Sequence, residues 1–160
     1  MGCDIHLIAQ RKARPDETGA AATEGSRGFI DVTGDFLDCR SYGLFGFLAG
    51  VRNYSGVAPI SKPRGLPRDF HDGKHVFHDL DNDWGCHNHS WLSLEEMLEY
   101  DYDQEIEDRR VTRNGDGGHT ADPGEGKTMS LREFLGDWYF SELERMKEEG
   151  VDRIVFCFDN

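Results

Sequence analysis

The sequence predicts a single α+β domain, a small sheet with adjacent N- and C-terminal strands packed against about three helices. Three observations carry this. Residues near the start alternate in polarity, the closing residues are apolar on both faces, and capping boxes open two helical segments between them. The chain has 160 residues, the length of about one domain. Hydrophobic residues are 37% and charged residues 31% of it, too apolar for a disordered chain. No apolar run approaches the ~20 residues a bilayer span needs. Ile5 to Ala9 is too short for the core of a secretory leader, so a cytoplasmic location is expected.

Residues 3–12 (CDIHLIAQRK) read as a strand, with Cys3, Ile5, Leu7 and Ala9 on one face and Asp4, His6, Ile8 and Gln10 on the other. Residues 13–28 are small and Gly/Ala-rich and read as a flexible loop. Phe29 to Val32 form a short second strand before a Thr33-Gly34-Asp35 turn. Residues 42–52 (YGLFGFLAGVR) are apolar nearly all round, as in a buried helix, with Gly43, Gly46 and Gly50 permitting close packing. Pro59, Pro63 and Pro67 mark 53–70 as an ordered loop. Ser93 with Glu96 makes a capping box for a helix over about 94–108. Residues 113–127 are Gly-rich and read as a second flexible loop. Ser130 with Glu133 caps another helix, its apolar positions Leu131, Phe134, Leu135, Trp138 and Met146, and Gly150 is its expected stop. Val151 to Phe158 is a strand, central because both of its faces are apolar. Pairing it with the first strand brings Asp4 and His6 near Arg153 or Asp159.

The net charge of −13 is unevenly placed. Residues 69–108 hold 13 acidic residues against Lys74 alone, whereas Cys39 to Arg68 contain no Asp or Glu. An acidic body repels a phosphate backbone, which argues against a long nucleic acid as partner. The basic stretch still suits a small anion. Arg52, Asn53, Lys62, Arg64 and Arg68 are therefore candidates for holding phosphate, in a loop stiffened by proline and opened by Gly65. The alternative is a structural loop whose arginines pair with the acidic stretch.

Two histidine patterns point to metal chemistry. His87-Asn88-His89 in extended backbone turns both imidazoles to one side, and Asp4-Ile5-His6 has the same spacing. Asp4, His6, His87 and His89 would give a mixed nitrogen and oxygen set for Zn, Mn or Mg. The alternative places the later pair in a loop capping the helix. The order of DxH, Gly34-Asp35 and GxHxH resembles calcineurin-like metallophosphoesterases, without their GNHE element. Asp79, Asp81 and Asp83 begin like a calcium loop, but Trp84 and Ser90 stand where its glycine and glutamate belong. ADPGEGKT (121–128) lacks the first glycine of a phosphate loop. The four cysteines (3, 39, 86, 157) contain no CxxC pair and read as buried thiols rather than a disulfide framework. Met1-Gly2-Cys3 has His6 where a myristoylation signal needs Ser or Thr.

Five blocks, MGCDIH, YGLFGFLAGVRN, PRGLP, HNHSWLSLEE and RIVFCFDN, resemble a family of small phage and prophage proteins. Asn88 and Cys157 depart from its common Ser and Trp. The resemblance implies a phage origin and action inside a bacterial host, and brings no biochemistry with it.

These readings combine into one expectation. The chain is a phage accessory protein binding a small phosphorylated, nucleotide-like ligand, with metal-assisted phosphoester hydrolysis. The alternatives are a sponge for a host nucleotide immune signal, or an acidic DNA mimic that inhibits a host defence protein.

Overall fold

The computed structural model describes residues 2–17, 28–70, 85–111 and 119–159. It is α+β. The described residues form a four-stranded antiparallel sheet, two two-stranded ribbons and three helices. They fall into two compact units, one made of Met1–Arg40, Pro63–Glu99 and Ser141–Asn160, the other of Ser41–Lys62 and Tyr100–Phe140.

The first unit holds the sheet, built from β1 (Asp4–Lys12), β2 (Phe29–Asp31), β3 (His87–Ser93) and β8 (Arg153–Asp159). Its strand order is β2-β1-β8-β3. The closing strand is central, as its two apolar faces require, and all of Arg153 to Phe158 is buried. Its register against β1 pairs Asp4 with Asp159, His6 with Cys157, Ile8 with Val155 and Gln10 with Arg153. Opposed residues of an antiparallel pair share a face. One face thus carries His6, Ile8, Val155 and Cys157, over which Leu66, Phe70 and Trp91 pack. The other carries Ala9, Ile154, Phe156 and Phe158, all at 2% exposure or less. Arg153 is buried on the first face. It donates to Gln10 Oε1 and to Asp69 Oδ1, both at 2.9 Å, and lies 3.6 Å over the Phe29 ring.

The second unit contains α1 (Tyr42–Ala49), the ribbon of β4 (Glu105–Asp108) with β7 (Lys127–Ser130), and that of β5 (Arg110–Val111) with β6 (His119–Thr120). Gly43 to Ala49 of α1 are all buried, as a helix apolar on every side must be. Ser41 Oγ accepts from Leu44 N–H, and Gly50 at φ 73° ends the helix. A Cβ on Gly46 would meet Asn53 Oδ1 at 2.8 Å, so this glycine does permit a close approach. Phe47 sits among Tyr100, Tyr102 and Tyr139. The Tyr102 and Tyr139 hydroxyls share a buried hydrogen bond of 2.9 Å, and burial pushes the Tyr102 phenol up to about 12.

Two expectations are corrected. The helix over 94–108 is only α2 (Leu94–Glu99), and residues 105–108 pair as β4. Its capping box is present: Ser93 Oγ accepts from Glu96 N–H, and Glu96 Oε2 accepts from Ser93 N–H, both at 3.1 Å. What ends the helix is charge. Continued past Glu99, the helix would set Glu99/Asp103 and Asp101/Glu105 one turn apart as like pairs, against the negative end of the helix dipole. The second correction is Trp138, which is 43% exposed rather than buried. Helix α3 (Leu131–Glu148) is broken at Gly136, whose φ of 76° and ψ of 164° are not helical. The buried stripe therefore shifts, and Tyr139 and Leu143 join Leu131, Phe134 and Met146.

Of the first expected flexible loop, 13–28, residues 18–27 lie outside the described residues. In the second, residues 119–127 contribute β6, a turn and the start of β7. Nothing lies within 4 Å of a Cβ built on Gly136, so a Gly136→Ala substitution tests backbone strain alone. It is expected to lower stability by about 1–3 kcal/mol in urea unfolding followed by circular dichroism.

Candidate metal centre

The open end of β8 in the first unit gathers the chemistry. Cys157 and Asp159 alternate onto one face of the sheet, and His6 stands directly across from Cys157. The Asp159 carboxylate is bound twice by β1: Oδ1 accepts from Asp4 N–H and Oδ2 contacts His6 Nε2, each at 3.0 Å. Asp4 itself points to Arg40, which donates to Oδ1 at 2.7 Å. That hydrogen bond holds the Asp4 carboxyl below its ordinary value of 3.8.

The other side is set by an irregularity in β3. His87 opposes Phe158 and Ser90 opposes Phe156. Three steps along β3 are thus matched by two along β8, which is a β-bulge. Asn88 absorbs the extra residue at φ 53°, a left-handed conformation that Asn tolerates better than most side chains. The bulge separates the two imidazoles. His87 goes to the Phe158 face, its ring 6.4 Å from that of Phe158. His89 goes to the Cys157 face. The expectation that an HxH spacing puts both rings on one side is corrected, because that spacing holds only in unbulged strand.

Cys86, His89 and Cys157 offer three ligand atoms that all lie within 4.8 Å of one another. Such a cluster could hold a metal ion. Cys86 and Cys157 are joined in a disulfide, with their Cα atoms 6.2 Å apart. This overturns the reading of four thiols: Cys3 and Cys39 are thiols, the other two are not. Of the four residues expected to bind metal, His6 and His89 lie on the face of this cluster. Asp4 shares that face but bonds Arg40, and His87 lies on the opposite face. Cys86 and Cys157 are not legible as a pair in the sequence, because neither belongs to a CxxC motif. The available signal was the Cys86-x-x-His89 spacing, together with the strand pairing that sets His6 across from Cys157.

The candidate phosphate ligands are divided between the two units. Arg52, Asn53 and Lys62 belong to the second unit, Arg64 and Arg68 to the first. Asn53 is a bracket for its own loop: Oδ1 accepts from Val57 N–H at 2.9 Å, and Nδ2 donates to Val57 O at 2.7 Å. Arg52 has a φ of 49° in the same turn. Arg64 donates to Glu96 Oε2 at 2.9 Å and lies 5.0 Å over the Trp91 ring, the structural alternative weighed for this stretch. Lys62 and Arg68 are exposed. The Gly-rich turn at 121–128 is likewise occupied by the protein itself, since Glu107 Oε1 accepts from Gly124 N–H at 2.8 Å and from Gly126 N–H at 2.7 Å. His71, His75, His78 and the Asp79–Trp84 segment lie outside the described residues.

His6 also lines a cavity of about 460 Å³ with Asp31, Thr33, Asp35 and Asp38. Comparison with family models, curated proteins and solved structures finds no match. No helix among the described residues is long and apolar enough to cross a membrane.

Two outcomes follow for stability. The disulfide spans 71 residues, and loop-closure entropy assigns such a bridge about 4 kcal/mol. Reduction by a phosphine should lower the unfolding free energy from denaturant melts by that order, and a Cys157→Ser chain should show no further loss on reduction. Burial works to raise the Glu96 carboxyl, but the hydrogen bonds from Arg64 and Ser93 outweigh it and hold the group below its ordinary 4.5. Stability from this carboxylate is therefore complete above pH 4.5 and is lost as pH falls through the lower folded value. A Glu96→Gln variant should be less stable at pH 7 and flatter in acid, read by thermal melts across pH.

Proposed function

We propose that this chain is a metal-binding protein whose reduced form holds Zn²⁺ through Cys86, His89 and Cys157. The observation that supports it is the convergence of these three ligand atoms within 4.8 Å. The donor set supports the choice of metal. Two thiolates and an imidazole are soft to borderline ligands, suited to zinc, whereas Mg²⁺ and Mn²⁺ favour oxygen. Three protein ligands leave a fourth position for water, the pattern of hydrolytic rather than structural zinc. Bound zinc supplies a water that ionises near neutral pH.

The chain's own residues complete the arrangement. His6 extends from the strand beside Cys157, and Asp159 fixes its Nε2 and hence its tautomer and orientation. Were zinc bound, His6 would be the residue beside the ligands to take up a proton. The cavity that His6 lines gives a substrate room beside it. We carry phosphoester hydrolysis of a small phosphorylated, nucleotide-like substrate as the reaction, in a phage accessory protein acting within its host. Arg52, Arg64 and Arg68 do not strengthen the phosphate part of this reading, and the weight rests on the metal ligands.

The test is metal analysis of reduced, full-length protein. Wild type should take one Zn²⁺ per chain. His89→Ala should weaken zinc by at least about 100-fold, one ligand's share of a typical zinc binding energy. His87→Ala, on the opposite face, should change little. His6→Ala should keep zinc and lose about 10²–10⁴-fold in turnover on a phosphoester panel. Reduced wild type that takes up no zinc would refute the proposal.

A further inference from the structure

We infer that the Cys86–Cys157 disulfide is a redox lock on the metal centre, so that disulfide and metal are alternative states of the same two sulfurs. This rests on the metal reading above and adds its regulation. A sulfur bonded to another sulfur has no thiolate charge to give, and the thiolate is the form that ligates metal. His89 alone then remains of the three ligands, too few to retain zinc.

The surroundings of the two sulfurs fit an opening and closing pair. Cys157 lies on β8, which is paired on both sides, and has no exposure. Cys86 lies just before β3, is 9% exposed, and follows Gly85 at φ 69°. One sulfur is thus anchored and the other sits where backbone can adjust. The movement is small. Bonded sulfurs stand about 2.05 Å apart, and tetrahedral zinc with 2.3 Å bonds sets them about 3.8 Å apart. A change of under about 2 Å at Cys86 is within reach of side-chain rotation and a loop shift.

The exchange balances with a dithiol as reductant. One reductant thiolate attacks Cys86 Sγ, the more exposed sulfur, and Cys157 leaves as a thiolate beside His89. The second reductant thiol attacks the mixed disulfide, frees Cys86 and closes the reductant's own disulfide. Two electrons pass to the cysteine pair, and the reductant's two thiol protons end on Cys86 and Cys157. Zinc then displaces both protons as it binds.

Linkage makes the effect measurable in both directions. Zinc at 100 times its Kd favours the dithiol about 100-fold. At 29.6 mV per tenfold this raises the midpoint potential by about 59 mV.

The experiment uses metal-free, full-length wild type, prepared reduced with a phosphine and oxidised with glutathione disulfide. Zn²⁺ affinity is measured by competition with a chromophoric chelator, and the midpoint potential in dithiothreitol redox buffers with and without zinc. The expected result is one zinc per reduced chain, at least 100-fold weaker binding to the oxidised chain, and a rise near 59 mV. Equal affinity of both forms, or zinc binding with an unmoved potential, overturns the lock and puts the zinc on ligands other than Cys86 and Cys157. No zinc in either form overturns the metal site and the lock together. Cys86→Ser retains the buried Cys157 and serves where double replacement unfolds the chain. It should bind zinc at least 100-fold more weakly than reduced wild type and equally under both redox conditions; tight zinc binding by this variant also overturns the lock.

Discussion

Strand β8 is hydrogen-bonded on both sides, to β1 and to β3, and every feature of the candidate centre follows from that. A strand held on two sides has a fixed register, since a slip of one residue would turn its whole apolar set to the wrong face. Phe156, Phe158 and Ile154 on one side and Val155 and Cys157 on the other leave no tolerance for such a slip. With register fixed, His6 must stand across from Cys157, and Asp4 across from Asp159. Chemistry that is scattered over the chain, at residues 6, 86, 89, 157 and 159, becomes local through strand pairing alone.

Several arginines of this protein are held by its own carboxylates. Arg11 holds Glu17, Arg40 holds Asp4, Arg64 holds Glu96, Arg145 holds Glu142, and Arg153 holds Asp69. Most of these pairs are partly exposed and contribute little individually to stability. Arg153 differs, because its side chain is 7% exposed and a buried guanidinium must be matched by acceptors. Gln10 and Asp69 supply them. Within the acid-free segment from Cys39 to Arg68, Arg40 and Arg64 are matched by carboxylates far away in sequence. Glu107 is likewise seated in the backbone N–H groups of the Gly-rich turn.

Elements whose cause is local were legible in the sequence. The capping boxes at Ser93 and Ser130 act over three residues, and both are present with the hydrogen bonds expected of them. The apolar α1 is buried as its composition demands. The placement of β8 at the centre followed from its two apolar faces. The losses came where a single backbone conformation overrides the pattern. Gly136 resets the phase of α3 and turns Trp138 outward. A run of carboxylates ends α2 before its periodicity does. In the site, His6 and Asp159 were legible through strand pairing, whereas Cys86 and Cys157 were not, because cysteines 71 positions apart carry no spacing signal of their own.

The bulge at Asn88 decides what kind of centre this is. In a regular strand, His87 and His89 would present two imidazoles together beside the β1 carboxylates, a nitrogen and oxygen set for a hard or borderline cation without redox chemistry. The inserted residue removes His87 from that face and leaves His89 with the sulfurs of Cys86 and Cys157. One backbone angle thus changes the ligand set from imidazole and carboxylate to imidazole and thiolate. β-Bulges commonly serve to re-aim a side chain near a functional position, and here the bulge turns His87 to the Phe158 face and leaves His89 beside the two sulfurs.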